Sequence, residues 1–175
     1  MIQVIGYVEI NGVRTFSDDA MLAAFETLEK DRILDVVFSD DPVTSFDQFL
    51  AIMKNPANTV SVILLDHEIV GLAWLNQAHK NHAFVHYALF REVWGRYTMP
   101  IAEACLDYWF SFTDESGNKL IEVLLGQTPE WNRRAINYTK RLGWTVLGTV
   151  PLIANGSGLI ISYLTRDQYY GKKQR

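Results

Sequence analysis

A single cysteine, Cys105, is all the thiol chemistry of this chain, and one thiol excludes an internal disulfide. It falls on the apolar stripe of an expected helix and reads as a packing residue rather than a nucleophile. Long apolar runs are missing: nothing approaches the ~20 residues that a membrane-spanning helix needs. A basic excess is missing as well. Sixteen Lys and Arg stand against twenty Asp and Glu, a formal charge of −4, which argues against a general nucleic-acid binder. The start, MIQVIGYVEING, has no basic head and no cleavage region, so it does not read as a signal peptide, and a cytoplasmic protein is expected. His67, His79 and His82 fall in expected turns without metal-ligand spacing, so no metal is expected.

What is present fits one domain with its own core. Apolar residues make up 49% of the chain and charged ones 21%, the balance of an ordinary soluble domain. No internal repeat, low-complexity tract or linker interrupts it. Residues 3–10 alternate as a strand, and Asn11-Gly12 turns it into residues 13–16. Ser17 caps a helix running to about residue 33, with Met21, Leu22, Phe25, Leu28 and Glu29 on its inner side. Residues 45–54 form a second helix, stopped by Asn55-Pro56. Residues 60–65 and 69–75 are two buried strands around the turn Asp66-His67-Glu68, and Gly71 marks a bulge or a close approach. Residues 82–90 form a third strand, with Phe84, His86, Ala88 and Phe90 on one face and Val85, Tyr87 and Leu89 on the other.

After a loop over 91–99, a helix starts near Pro100 and carries Ile101, Ala104, Cys105, Tyr108, Trp109 and Phe112 at a 3.6 period. A short strand over 121–126 follows. In TPEWNRRAINYTKRLGW, residues 128–144, Trp131, Ala135, Tyr138 and Leu142 recur at helical spacing as a buried stripe. Lys140 and Arg141 complement the helix dipole, and Gly143 supplies the left-handed stop. With Arg133 and Arg134 these cations read as a solvated face rather than a phosphate site. A strand over 144–151, a turn Asn155-Gly156-Ser157-Gly158 and a strand over 159–164 complete the order, and the tail 171–175 is expected to fray. This order predicts an α/β fold (α+β) with a mixed, mostly antiparallel central sheet, helices on both faces and one parallel β-α-β crossover.

The crossover carries the candidate chemistry. Its loop and helix start bring backbone amides and a positive helix end to one point, which suits phosphate oxygens. Gly95 permits close backbone approach and Arg96 adds charge. On the strand before it, His86 has an unperturbed pKa near 6.5, suited to a general base at neutral pH; a structural histidine is the alternative. Asn132 serves either as a helix cap or as a ligand-facing group. Trp74 and Trp94 either line a cleft or simply pack.

From residue 60 to residue 168 these segments resemble, in order and spacing, the GNAT acyltransferases. VSVILLDHEIVGLAWL resembles the family's second and third strands, HAFVHYALF its fourth, REVWGRYTM its pyrophosphate loop, AEACLDYWF the helix after it, and NRRAINYTKRLGW the helix that begins with a conserved Asn. LIISYLTRDQYY resembles the closing strand of the subgroup related to ribosomal-protein N-terminal acetyltransferases. The resemblance implies a single GNAT-like domain, with residues 1–56 as a variable part holding two helices and 57–170 as the cofactor-binding core. It implies acetyl-CoA as co-substrate, held by the backbone of Tyr87, Ala88, Leu89 and Phe90, by Gly95, Arg96, Tyr97 and Thr98 at the pyrophosphate, and by Asn132 and Thr139. His86 is then the catalytic base, and the acceptor is an amine of a small molecule or a peptide, with no nucleic acid and no membrane as partner.

The departures are specific. The family loop R/Q-x-x-G-x-G/A falls on Trp94, Gly95, Arg96, Tyr97, Thr98 and Met99, so neither glycine slot holds glycine. Thr139 stands where many members place the tyrosine that protonates the departing thiolate, and Phe84 stands where some place a glutamate. These losses motivate a second reading: a catalytically inactive GNAT fold used in binding or assembly. The WGR loop weakly resembles phage-encoded GNAT-like proteins, some linked to head assembly. A homo-oligomer or a phage assembly partner stays open on this reading.

Overall fold

The computed structural model describes residues 1–39, 41–154 and 156–173. Asn155 of the expected turn, and Gln174 and Arg175 of the expected frayed tail, lie outside the described residues. The strands are β1 (Ile2–Gly6), β2 (Glu9–Ile10), β3 (Val13–Arg14), β4 (Thr59–Leu65), β5 (Glu68–His79), β6 (His82–Leu89), β7 (Val123–Pro129), β8 (Thr145–Ala154) and β9 (Ser157–Thr165). The helices are α1 (Asp18–Lys30), α2 (Leu34–Val37), α3 (Phe46–Met53), α4 (Thr98–Phe110), α5 (Arg133–Leu142) and α6 (Arg166–Lys173), with a 3-10 turn at Arg91–Val93. Seven strands form one sheet in the order β1-β4-β5-β6-β7-β9-β8, and β2 pairs with β3 separately. The pair β6–β7 is parallel, while β1–β4, β4–β5, β7–β9 and β8–β9 are antiparallel. The expected mixed, mostly antiparallel sheet with one parallel crossover is therefore what forms.

Two compact units divide the chain: Met1–Asn76 with His86–Cys105, and Gln77–Val85 with Leu106–Arg175. In the first unit, α1 and α3 pack on the face of β4 that carries Val60, Val62 and Leu64. Met21, Leu28 and Phe49 are completely buried there, and each such side chain contributes about 1.5–3 kcal/mol by leaving water. Serine caps start both helices: Ser17 Oγ accepts from Ala20 N at 3.2 Å and Ser45 Oγ from Gln48 N at 3.3 Å. Glu29, expected inside, is exposed.

Helix α1 stops three residues earlier than expected. Arg32 takes a left-handed φ of 55° and Ile33 N donates back to Leu28 O at 2.8 Å, a closing turn that needs no glycine. The expected first strand ends at Gly6: Tyr7 N still bonds Val60 O of β4 at 2.8 Å, and the chain then leaves the sheet for the β2–β3 hairpin.

Gly71 combines both expected roles. The β4–β5 register shifts beside it, and a Cβ there would lie 2.6 Å from the Ala88 carbonyl oxygen and 3.0 Å from the Leu89 Cα. These are backbone atoms that cannot swing aside. Gly71→Ala is expected to lose about 1–3 kcal/mol of unfolding free energy, read by denaturant titration. An unchanged midpoint would show that β6 yields at no cost.

In the second unit β9 lies between β7 and β8 and pairs with both. Strand β7 begins two residues later than expected and runs on to Pro129, because Thr128 and Pro129 continue the β9 ladder opposite Ile160 and Leu159. Helix α5 therefore starts only at Arg133. Its buried side chains are Ile136 and Leu142, with Ala135 and Tyr138 half-buried. Trp131, expected on the buried stripe, precedes the helix and is 43% exposed. Gly143 closes α5 at φ 94°, and Lys140 and Arg141 lie in its last turn. Residues 171–173 do not fray: they continue α6, which the sequence reading missed. Lys172 Nζ donates to the Arg141 carbonyl at 2.5 Å, and Lys173 Nζ meets Asp107 Oδ2 at 2.7 Å.

Candidate active site

Strand β6 has a ladder to β7 of only three pairs, His82↔Val123, Ala83↔Leu124 and Phe84↔Leu125. Strand β7 itself continues to Pro129 on the strength of β9. Two groups near the end of the strand are already engaged. The Leu89 carbonyl accepts the Trp94 indole N–H at 2.9 Å, and Phe90 N donates to Val70 O at 2.9 Å. Ala88 and Phe90 turn their side chains into the core under α1 and α3.

His86 lies on that same side. Its ring stacks on Trp74 with centroids 5.0 Å apart and planes 9° apart, and Trp74 stacks on Phe38 at 5.7 Å and 15°. Burial in this stack lowers the His86 pKa from 6.5 to about 4, because the imidazolium would lose its hydration without a compensating carboxylate. The ring is therefore neutral at pH 7. Its buried Nε2 has no hydrogen-bond partner among the described residues.

The loop after β6 starts as the 3-10 turn and reaches Gly95 at φ 83°, a left-handed conformation that favours glycine. A Cβ at Gly95 would meet nothing within 4 Å, so the space over its backbone is open. The Gly95 amide donates to Thr98 Oγ1 at 2.9 Å, and Tyr97 N reaches Val93 O at 3.3 Å. Arg96 lies over the Tyr97 ring at 5.1 Å and is exposed. Helix α4 begins at Thr98, two residues before the expected start, so Pro100 takes the third helical place. Proline has no amide to aim at a ligand, which leaves the earlier positions of the turn to do so. Cys105 is completely buried, and burial pushes its thiol pKa up, as suits a packing residue.

His86, Tyr87, Ala88, Leu89, Phe90 and Gly95, Arg96, Tyr97, Thr98 thus fall in one compact unit; Asn132 and Thr139 fall in the other. There Asn132 caps α5, its Oδ1 accepting from Ala135 N at 3.1 Å. Thr139 Oγ1 donates to the Ile136 carbonyl at 3.1 Å. Sequence reasoning missed Phe38, whose only local sign is an aromatic after a short apolar run. Among the described residues no group of three or more His, Cys, Asp or Glu could hold a metal ion, and no helix is long and apolar enough to cross a membrane.

No family model matches the chain, and no curated protein matches it. Solved structures do. A spermidine N-acetyltransferase from Vibrio cholerae, in complex with CoA and spermine, superposes with a TM-score of 0.75 at 14% identity, over 97% of this chain and 98% of that one. The aminoglycoside acetyltransferase AAC(6')-Ib, in complex with coenzyme A, superposes with a TM-score of 0.74 at 12% identity, over 99% of each chain. With the strand order and the single parallel pair above, this likeness identifies the fold of the chain as that of the GNAT acyltransferases.

Proposed function

We propose that the protein transfers an acetyl group from acetyl-CoA to an amine of a small molecule or a peptide. The observation that carries this reading lies within one compact unit: the end of β6 leads through the 3-10 turn into the open backbone of Gly95 and the start of α4. A strand edge offers amides and carbonyls to an amide-bearing arm, as in strand addition. A helix start preceded by an open glycine suits a pyrophosphate. The open space over Gly95 fits that group. The two acetyltransferases that share this fold carry names that specify amine acceptors, which supports the same acceptor class here.

Acetyl-CoA supplies a thioester carbonyl. The backbone of Tyr87 and Ala88, the Leu89 amide and the Phe90 carbonyl hold the arm, and residues from Gly95 to Thr98 hold the pyrophosphate. The amine nitrogen bonds to the carbonyl carbon, the C–S bond breaks, and one proton passes from nitrogen to sulfur. His86 is the candidate base for that proton, and its Nε2, buried beside Trp74, must be uncovered by substrate binding to accept it. With its pKa lowered to about 4, His86 is neutral and open to a proton at neutral pH but holds it poorly, so it would relay the proton to the departing sulfur rather than keep it. Orientation and exclusion of water supply the remaining acceleration.

A thermal-shift titration tests this reading. Acetyl-CoA at about 100 times its Kd should add about 2.7 kcal/mol by mass action, a rise in Tm of roughly 5–10 °C for a chain of this length. No shift at millimolar acetyl-CoA would sink the proposal.

A further inference from the structure

Asp31, the C-cap of α1, reaches across sixty positions of sequence to the first residue of the loop. Its Oδ2 accepts from the Arg91 backbone N at 2.7 Å, and its carbonyl oxygen accepts from Arg91 Nε at 2.8 Å. The Arg91 guanidinium in turn lies over the Trp94 indole at 5.5 Å, and the Trp94 N–H is bonded to Leu89 O. The Asp31 carboxylate thus holds the backbone at the start of the 3-10 turn, and the carbonyl of the same residue holds the Arg91 side chain that covers Trp94, one residue before Gly95. Asp31 itself is well placed to hold them. It is half-buried, its own amide is bonded into the end of α1, and the left-handed Arg32 aims the chain away. An amide-to-carboxylate bond is charge-assisted and stronger than its neutral counterpart.

We infer that Asp31 is a positioning residue for the phosphate-binding loop, acting on the ligand only through Arg91. The inference rests on the acetyl-CoA reading. It adds that the loop's shape is imposed by the first helix, which supplies what the missing loop glycines would otherwise provide. A chain with Tyr97 and Met99 in the glycine slots has less backbone freedom to mould itself around a phosphate, so its loop must be held in place beforehand.

Calorimetric titration of CoA into the full-length protein and its variants tests this. Asp31→Ala removes the side-chain acceptor, leaves the backbone carbonyl bond to Arg91, and should weaken CoA binding about tenfold. Asp31→Asn retains an oxygen acceptor and should recover most of that loss. In turnover with an amine acceptor, the KM for acetyl-CoA should rise in Asp31→Ala while kcat holds. Amide exchange at Arg91, measured without CoA, should accelerate in Asp31→Ala and not in Asp31→Asn. Wild-type affinity in Asp31→Ala overturns the inference while leaving the acetyl-CoA reading standing. Absence of CoA binding in the wild-type protein overturns both. Equal losses in Asp31→Ala and Asp31→Asn, with kcat falling alongside melting temperature, would make the contact merely structural and also overturn it.

Discussion

Between pH 6.5 and pH 4 the protein is expected to lose about 3 kcal/mol of stability through His86 alone. The sign follows from where the proton goes. In the unfolded chain the imidazole titrates near 6.5; in the folded protein, burial against Trp74 lowers its pKa to about 4. Across that window the unfolded state binds more protons, so stability falls as pH falls. Above pH 6.5 both states are neutral and His86 contributes no slope, and below pH 4 both are protonated and the loss is complete. Urea unfolding of the wild type and of His86→Phe reads this directly, because phenylalanine keeps a ring on Trp74 and does not titrate. The stability difference between the two proteins should be flat above pH 6.5 and change by about 3 kcal/mol by pH 4 in favour of the variant. Asp66, lowered by its bond to the Met1 amino group, and Asp114, lowered by Asn118, titrate alike in both proteins and cancel. Parallel pH curves would show that His86 reaches solvent in the folded state.

The largest single-residue effect is expected at Trp74. It is 3% exposed and stacks on both Phe38 and His86. Truncation to alanine removes the indole and leaves a cavity, a change that costs about 3–5 kcal/mol at a buried aromatic. Against a total stability of roughly 5–15 kcal/mol, this removes a large share. The second consequence is chemical. Water entering the cavity hydrates the imidazolium, so the His86 pKa should climb back toward 6.5, visible in its ring-proton shifts during an NMR titration. Trp74→Phe preserves a stacking ring and should keep the low pKa, which separates the ring's presence from the indole's bulk. A Trp74→Ala protein within about 1 kcal/mol of wild type, with His86 still titrating low, would show that the stack neither carries the core nor shields the histidine.

Much of this was legible along the chain because it is local. The caps Ser17, Ser45 and Asn132 each satisfy amides within three positions, so their identity announces the helix start. The turns Asn11-Gly12 and Asp66-His67 take positive φ at both residues, as a two-residue hairpin requires, and Gly143 does so at the end of α5. The errors are also local in cause. Trp131 has helical spacing with Ala135, yet the helix begins two residues after it, because Thr128 and Pro129 continue the β9 ladder instead of another helical turn. Helix α6 has three tyrosine- and glycine-containing central positions and little apolar period, and it is held instead by contacts such as Phe110 with Tyr169.

The candidate site divides along the same line. The residue types were readable: a histidine on a buried strand, a glycine ahead of a helix, and the order of strands and helices that resembles the GNAT acyltransferases. Periodicity and capping depend on neighbours three or four positions away, and a sequence displays those directly. Where the β6–β7 ladder ends, how low the His86 pKa falls beneath Trp74 and Phe38, and the hold of Asp31 on Arg91 were decided only in three dimensions. Register, desolvation and long-range hydrogen bonds depend on partners twelve to sixty positions distant, and their strength is a property of the packed environment rather than of the residue that feels it.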